Sequence, residues 1–222
     1  TAQSNRGRAV MAGGMVYPTA AGSQIDYMEI QSGGITKDFG DLTVARGGGS
    51  APMSSSTRGV IAGGLDGPTR KNEIDFITIA TTGNATDFGN ATVARSAGAS
   101  CSSSTRAIFG GGYVPSPAAG TEVNTIDYVT IASTGDALDF GDLSVVGDYF
   151  GATSNGTRGI FGSRMDNQPF TGNVTIDSVI IASTGNAVNW GDHHRMDSGP
   201  HDGQPLKRRT AATMSDSHGG IT

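Results

Sequence analysis

Four times the chain returns to one short phrase, as Ile25-Asp26-Tyr27, Ile74-Asp75-Phe76, Ile126-Asp127-Tyr128 and Ile176-Asp177-Ser178, at steps of 49, 52 and 50 residues. Twelve positions after the third residue of each phrase stands an aromatic followed by glycine, namely Phe39-Gly40, Phe88-Gly89, Phe140-Gly141 and Trp190-Gly191. A period of about fifty residues marks an array of supersecondary units, each too small to bury its own faces and therefore stacked on its neighbours. The repeats run approximately over 1–46, 47–95, 96–146 and 147–209 within a single domain of 1–222. Residues 210–222 either open a further copy or supply a closing strand.

Each unit divides into four strand-sized pieces. In the third copy these are strand a around Ala97 to Ser103, strand b from Arg106 to Gly112, strand c from Asn124 to Ile131 and strand d around Ala137 to Phe140. The a–b link (Ser-Thr-Arg, or Asn155-Gly156 in the fourth copy) and the c–d links Thr82-Gly83-Asn84, Thr134-Gly135-Asp136 and Thr184-Gly185-Asn186 carry the turn residues of hairpins. Strand c, as in Ile74-Asp75-Phe76-Ile77-Thr78-Ile79, places apolar side chains on both faces. A strand in a two-layer sandwich would show one polar face, so the pattern predicts sheets covered on both sides, as in the blades of a propeller. The small residues of strand b, such as Ala62-Gly63-Gly64, place that strand in the crowded region near the axis.

These residues resemble the kelch family of β-propellers, in which a diglycine closes one strand and two later aromatics and a basic residue follow. The diglycines are Gly13-Gly14, Gly63-Gly64 and Gly111-Gly112; the aromatic pairs are Tyr27/Phe39, Phe76/Phe88 and Tyr128/Phe140; the basic residues are Arg46 and Arg95. The chain departs from that pattern in its longer spacing between aromatics, in Phe for Trp, and in Gly162-Ser163 and Ser178 of the fourth copy. The resemblance implies an all-β, kelch-like propeller of four-stranded blades, about four in this chain. Two readings of the array stay open: a ring closed by overlapping terminal strands, or a piece of a larger propeller, which the regularity of the first copy favours. The phrases Ile-Ala-Ser-Thr-Gly-Asn-Ala, Asp-Phe-Gly-Asp-Leu and Ser-Ser-Ser-Thr-Arg also resemble repeats of structural and tail-fibre-like proteins of marine bacteriophages.

Composition narrows the partners. The 35 glycines are about twice the usual share, as turn-rich β structure requires. A net charge of -5 spread along the chain gives no basic footprint for nucleic acid and no polybasic patch for a membrane surface. No apolar run reaches the length of a membrane span, and the single Cys101 cannot form an internal disulfide.

Few residues suggest chemistry. His193, His194, His201 and His218, with Asp192, Asp197 and Asp202, follow no metal-binding spacing and are expected to be an irregular polar loop, so neither metal nor cofactor is expected. The ladder Asp26, Asp75, Asp127, Asp177 recurs in every copy, which points to a structural task, because a catalytic site joins unlike residues once. Cys101 has no local His partner and reads as a packed thiol; the Ser/Thr clusters near Ser54, Ser102 and Thr157 read as turn chemistry. The runs Gly47-Gly48-Gly49 and Gly110-Gly111-Gly112 lack the Lys-Ser/Thr of a phosphate loop. No enzymatic constellation results.

The copies stop resembling one another between strands b and c, at 15–23, 65–72, 113–123 and 163–172. Variable loops on a repeated scaffold can change specificity without disturbing the core. The candidate contact residues there are Tyr17, Arg70, Lys71, Tyr113, Arg164, Asp166 and Phe170. The expectation is a non-enzymatic structural or adhesion module of a virus particle, contacting other virion proteins or a host-surface protein or glycan and compatible with a homo-oligomer. The alternative is a cellular, secreted or cytoplasmic, kelch-like or lectin-like binding propeller.

Overall fold

The computed structural model describes residues 2–5, 7–16, 20–48, 50–115, 121–148, 151–165 and 172–192. It is all-β, and its main elements are four antiparallel sheets of four strands each. Sheet 1 comprises β1 (Ala2–Ser4), β2 (Arg8–Val16), β3 (Ala20–Glu29) and β4 (Lys37–Asp41). Sheet 2 comprises β5 (Ala51–Ser54) and β6 (Arg58–Ala62), then, after a short ribbon of β7 (Leu65–Asp66) and β8 (Thr69–Arg70), β9 (Glu73–Thr78) and β10 (Thr86–Asn90). Sheet 3 repeats this with β11 (Ala99–Ser102), β12 (Arg106–Gly110), the ribbon β13 (Tyr113–Val114) and β14 (Thr121–Glu122), β15 (Thr125–Thr130) and β16 (Leu138–Asp142). Sheet 4 comprises β17 (Gly151–Ser154), β18 (Arg158–Met165), β19 (Gly172–Ile180) and β20 (Val188–Asp192). Strand order within each sheet follows the chain, so every connection inside a sheet is a hairpin.

The double-sided third strand does what its pattern predicts. Ile74 packs toward sheet 3 with Val60, Phe88 and Phe109, while Ile77 and Ile79 pack toward sheet 1 with Val10, Ile25 and Phe39. Ile126 repeats the arrangement between sheets 3 and 4, beside Phe140 and Phe161. The core is thus a series of layers between consecutive sheets, each holding apolar side chains out of water from both sides.

Hydrogen bonds lock each layer at its rim. The carbonyls of Phe39, Phe88 and Phe140 accept from the backbone N–H of Gly83, Gly135 and Gly185 in the next sheet, all at 2.7 Å. An ideal Cβ on Gly40, Gly89 or Gly141 would lie 2.5–2.6 Å from that same turn backbone, so only glycine permits the approach. Asn84, Asp136 and Asn186, read from sequence as turn residues, each accept a hydrogen bond from the backbone of the preceding sheet, at Asp41, Asn90 and Asp142 (2.8–3.0 Å). Their side chains fasten one sheet to another as well as closing a turn.

One expectation needs correction. The strands that run closest from sheet to sheet are the first ones, β1, β5, β11 and β17, and not the second. Hydroxyls on these strands reach across, Ser102 Oγ donating to the Ser54 carbonyl at 2.8 Å and Ser154 Oγ to the Ser102 carbonyl at 2.7 Å. Short Ser side chains let these strands crowd together and give them a hydrogen bond for doing so. The small residues of the second strand instead admit the connector described next.

Candidate functional site

The segment joining one sheet to the next folds back over the diglycine. Gly14, Gly64 and Gly112 N–H groups donate to the carbonyls of Arg46, Arg95 and Gly147 at 2.9–3.0 Å, with Gly13, Gly63 and Gly111 at φ near +60°. From there the connector reaches into the following sheet. Asp75 accepts from the Thr43 N–H (3.0 Å), the Thr43 hydroxyl (2.5 Å) and Arg46 Nη2 (2.9 Å). Asp127 accepts in the same way from Thr92 and Arg95, and Asp177 from the N–H and hydroxyl of Ser144. Arg46 Nη1 also donates to the carbonyls of Ile61, Gly63 and Glu73. Burial lowers the pKa of Arg46 and Arg95 from the ordinary arginine value, and the charges of Asp75 and Glu73 on the one and of Asp127 on the other oppose that. Asp75, Asp127 and Asp177 of the Asp ladder are therefore anchors between sheets, while Asp26 accepts from Gln24 in its own strand. Gly147 stands where Arg46 and Arg95 stand in the other copies.

A second arginine series escaped the sequence reading. Arg8, Arg58 and Arg106 lie 4.2–4.5 Å from the ring centroids of Tyr27, Phe76 and Tyr128. They also donate to main-chain carbonyls of the next sheet, at Ile79 and Ala80, Ile131 and Ile181. Those same rings meet Phe39, Phe88 and Phe140 edge to face at 5.9–6.0 Å. The recurrence of Arg at the start of each strand b was the available signal.

Other flagged residues take structural places. Cys101 is buried among Ile108, Phe140 and Phe161, and burial pushes its thiol pKa up, away from the thiolate a nucleophile needs. Ser55 and Ser103 accept from the N–H groups two and three residues ahead, which makes them turn residues. Among the described residues, no three His, Cys, Asp or Glu side chains converge as a metal site would require. The four histidines lie outside the described residues, and no helix among the described residues is long and apolar enough to cross a membrane.

What distinguishes one copy from another is the b–c ribbon. In sheet 2 the strands β7 and β8 close on Gly67-Pro68, with Gly67 at φ +55°, as a turn with glycine at its first central position requires. Backbone bonds tie these ribbons to the preceding connector, Gly47 N–H to Leu65 O, and Ser96 with Tyr113 in both directions. Arg70 and Tyr113 are thereby brought together, the guanidinium 4.4 Å from the ring centroid although the residues sit on consecutive sheets. Arg70 Nε is buried without a hydrogen-bond partner among the described residues. Lys71 Nζ lies 3.8 Å from Asp66 Oδ2 in a part-exposed pair. The result is a half-buried cation on an aromatic ring, flanked by one further cation and one carboxylate. Such a surface can stack and hydrogen-bond with a partner, and its described residues include no paired nucleophile and base. Of the other candidates, Tyr17, Asp166 and Phe170 lie outside the described residues; the backbone of Arg164 pairs with Asn173 in sheet 4, and its side chain lies outside them.

The geometry defines an all-β protein of stacked, hairpin-built antiparallel sheets, an arrangement compatible with a β-propeller. It is similar to the solved structure of YjhT, with a TM-score of 0.68 at 11% sequence identity, over 85% of this chain and 68% of that one. No family model and no curated protein matches the sequence.

Proposed function

We propose that the chain is a kelch-like β-propeller module that binds rather than catalyses, and that it serves as a structural or adhesion component of a virus particle through its b–c ribbon face. One observation carries the reading. The joints between sheets reuse one pattern, an Asp that accepts from a Thr or Ser of the preceding connector, whereas the ribbons differ from copy to copy and bring Arg70 to 4.4 Å from the Tyr113 ring. Scaffold residues are repeated because every joint has the same task; residues that differ are free to meet something that is not a sheet. Arg and Tyr are the residue types that supply much contact energy at protein and glycan surfaces, by stacking and by hydrogen bonds together. The phrases resembling phage structural proteins support the setting in a virus particle.

The test has two arms. Mass spectrometry of purified particles is expected to find the protein; finding it in infected cells but never in particles overturns the setting. Binding of the purified chain to host cells is expected to fall several-fold in Arg70→Ala and Tyr113→Ala, while thermal stability falls only by the small amount that the cation–ring contact contributes. Undiminished binding by both variants would remove the ribbon face from the proposal.

A further inference from the structure

The a–b turns lie at the opposite end of strand b from the ribbons, and the fourth of them differs chemically from the rest. Asn155 and Gly156 form the single Asn-Gly dipeptide of the chain, exposed in the turn between β17 and β18. Asn155 Oδ1 accepts from the N–H groups of Thr157 (3.0 Å) and Arg158 (2.8 Å). The N–H of Gly156 itself makes no hydrogen bond among the described residues, and none of them lies within 4 Å of where a Cβ on Gly156 would be. Asn5 fills the same place in the first copy and accepts in the same way from Gly7 (2.9 Å) and Arg8 (2.7 Å), but Arg6 follows it. Ser55 and Ser103 fill that place in the other two copies and carry no amide. At Asn84, Asn90 and Asn186 the next N–H is already engaged: Ala85, Ala91 and Ala187 each donate to a carbonyl at 2.7 Å.

We propose that Asn155 is a self-modification site, at which the folded turn converts its own asparagine into aspartate and isoaspartate through a succinimide. Gly156 N gives its proton to water or hydroxide and attacks Asn155 Cγ, closing an imide ring. The negative charge that develops on Oδ1 falls between the N–H groups of Thr157 and Arg158, donors that are already in place. The Cγ–Nδ2 bond then breaks, and Nδ2 takes a proton from water and leaves as ammonia. Water opens the ring at either carbonyl, so the sum is a water consumed and an ammonia released, without oxidant or cofactor. Glycine admits the attack, because without a Cβ its nitrogen swings toward Cγ at little steric cost, whereas the arginine after Asn5 hinders it. A free N–H also forfeits no hydrogen bond on losing its proton, whereas Ala85, Ala91 and Ala187 each forfeit one. Among the described asparagines, the following glycine and the unbonded N–H meet at Asn155 alone. Aspartate there keeps both acceptor bonds and adds a charge beside Arg158. Isoaspartate inserts a methylene into the main chain and slackens the β17–β18 hairpin. The site is at the other end of β18 from the ribbon, and its test does not depend on the binding role of the ribbon face.

The full chain is held folded in mildly alkaline buffer made with water carrying a heavy oxygen isotope. Peptides are then read by mass spectrometry, with isoaspartate told from aspartate by electron-transfer fragmentation. The label is expected to enter at Asn155 several-fold faster than at Asn5, Asn84 or Asn186, with both products present and a rate that rises with pH. Gly156→Ser gives the turn the residue that Ser56 and Ser104 supply in the second and third copies. It should slow the conversion several-fold while circular dichroism stays native. In denaturant, Asn84 and Asn186 should convert faster, because Ala85 and Ala187 are released, while Asn155 changes little. Three results would overturn the proposal: an Asn155 no faster than Asn5 in the folded chain, conversion of Asn155 only after unfolding, which would make the bonds to Oδ1 a lock, or a rate that Gly156→Ser leaves unaltered.

Discussion

The same residue types serve opposite ends in two neighbouring regions, the connector joint and the ribbon face. At the joint Arg46 is wholly buried, its Nη atoms shared among three carbonyls and Asp75. About one ribbon away Arg70 lies half-buried on Tyr113, and Lys71 and Asp66 form a loose pair at 3.8 Å. A charge taken fully out of water must be matched by fixed partners, so neither member of the Arg46–Asp75 or Arg95–Asp127 pair can be changed alone without a large cost. A charge at the rim keeps part of its hydration, so its neighbours can change freely. Burial, more than residue identity, separates scaffold from surface in this protein.

The comparison breaks most sharply at Asp127. Replacing it by Ala leaves the Arg95 guanidinium buried without its carboxylate, and removes the acceptor of the Thr92 hydroxyl and N–H. Orphaning one partner of a buried pair costs about 3–5 kcal/mol, whereas deleting an exposed partner costs roughly 0–1 kcal/mol. Chemical denaturation of Asp127→Ala should therefore show a large fall in midpoint, and Asp66→Ala almost none. Adding Arg95→Met to Asp127→Ala should recover part of the loss, since the stranded charge goes with it. If Asp127→Ala and Asp66→Ala behaved alike, burial would not be what distinguishes the two regions.

Glycine sharpens the comparison at the next level. Gly89 and Gly191 share nearly the same backbone, φ +143° and +148°, but a Cβ on Gly89 would meet the Gly135 carbonyl at 2.5 Å while one on Gly191 would meet none of the described residues within 4 Å. Gly191→Ala then measures conformational strain alone, about 1 kcal/mol, and Gly89→Ala adds an overpacking cost of roughly 1–3 kcal/mol. Thermal unfolding of the two variants at low protein concentration should separate them in that order. Equal losses would mean that the turn of the next sheet yields to the intruding methyl.

Much of the scaffold was legible beforehand because it depends on patterns within one repeat. The observed β12, β15 and β16 coincide within a few residues with the pieces marked out from Arg106, Asn124 and Ala137, and the two-faced strand c foretold layers on both sides. What stayed hidden depends on the register between repeats. Nothing in Thr184-Gly185-Asn186 alone says that Asn186 accepts from Asp142, or that Ser154 reaches Ser102. The candidate surface was legible only as a region. Divergence between copies pointed to 65–72 and 113–123, but the contact of Arg70 with Tyr113 joins residues 43 positions apart on consecutive sheets, a juxtaposition that only the stacking creates.

That contact supplies the smallest test and the one most specific to the ribbon face. A guanidinium over an aromatic ring at a part-exposed site is worth about 0.5–1 kcal/mol, and its attraction to the ring quadrupole survives without a formal counter-charge. A double-mutant cycle on Arg70→Ala and Tyr113→Ala should therefore give a coupling of that size in stability. Tyr113→Phe should retain most of it, because the ring and not the hydroxyl faces the cation. The Lys71–Asp66 pair gives the control within the same ribbon: it is an ion pair near water, so its coupling should vanish in high salt while that of Arg70 with Tyr113 falls less. A zero coupling, or one as salt-sensitive as the Lys71–Asp66 pair, would make Arg70 an ordinary solvated charge. The ribbon face would then present separate polar groups to a partner, without the preassembled cation–aromatic patch that most clearly sets it apart from the joints.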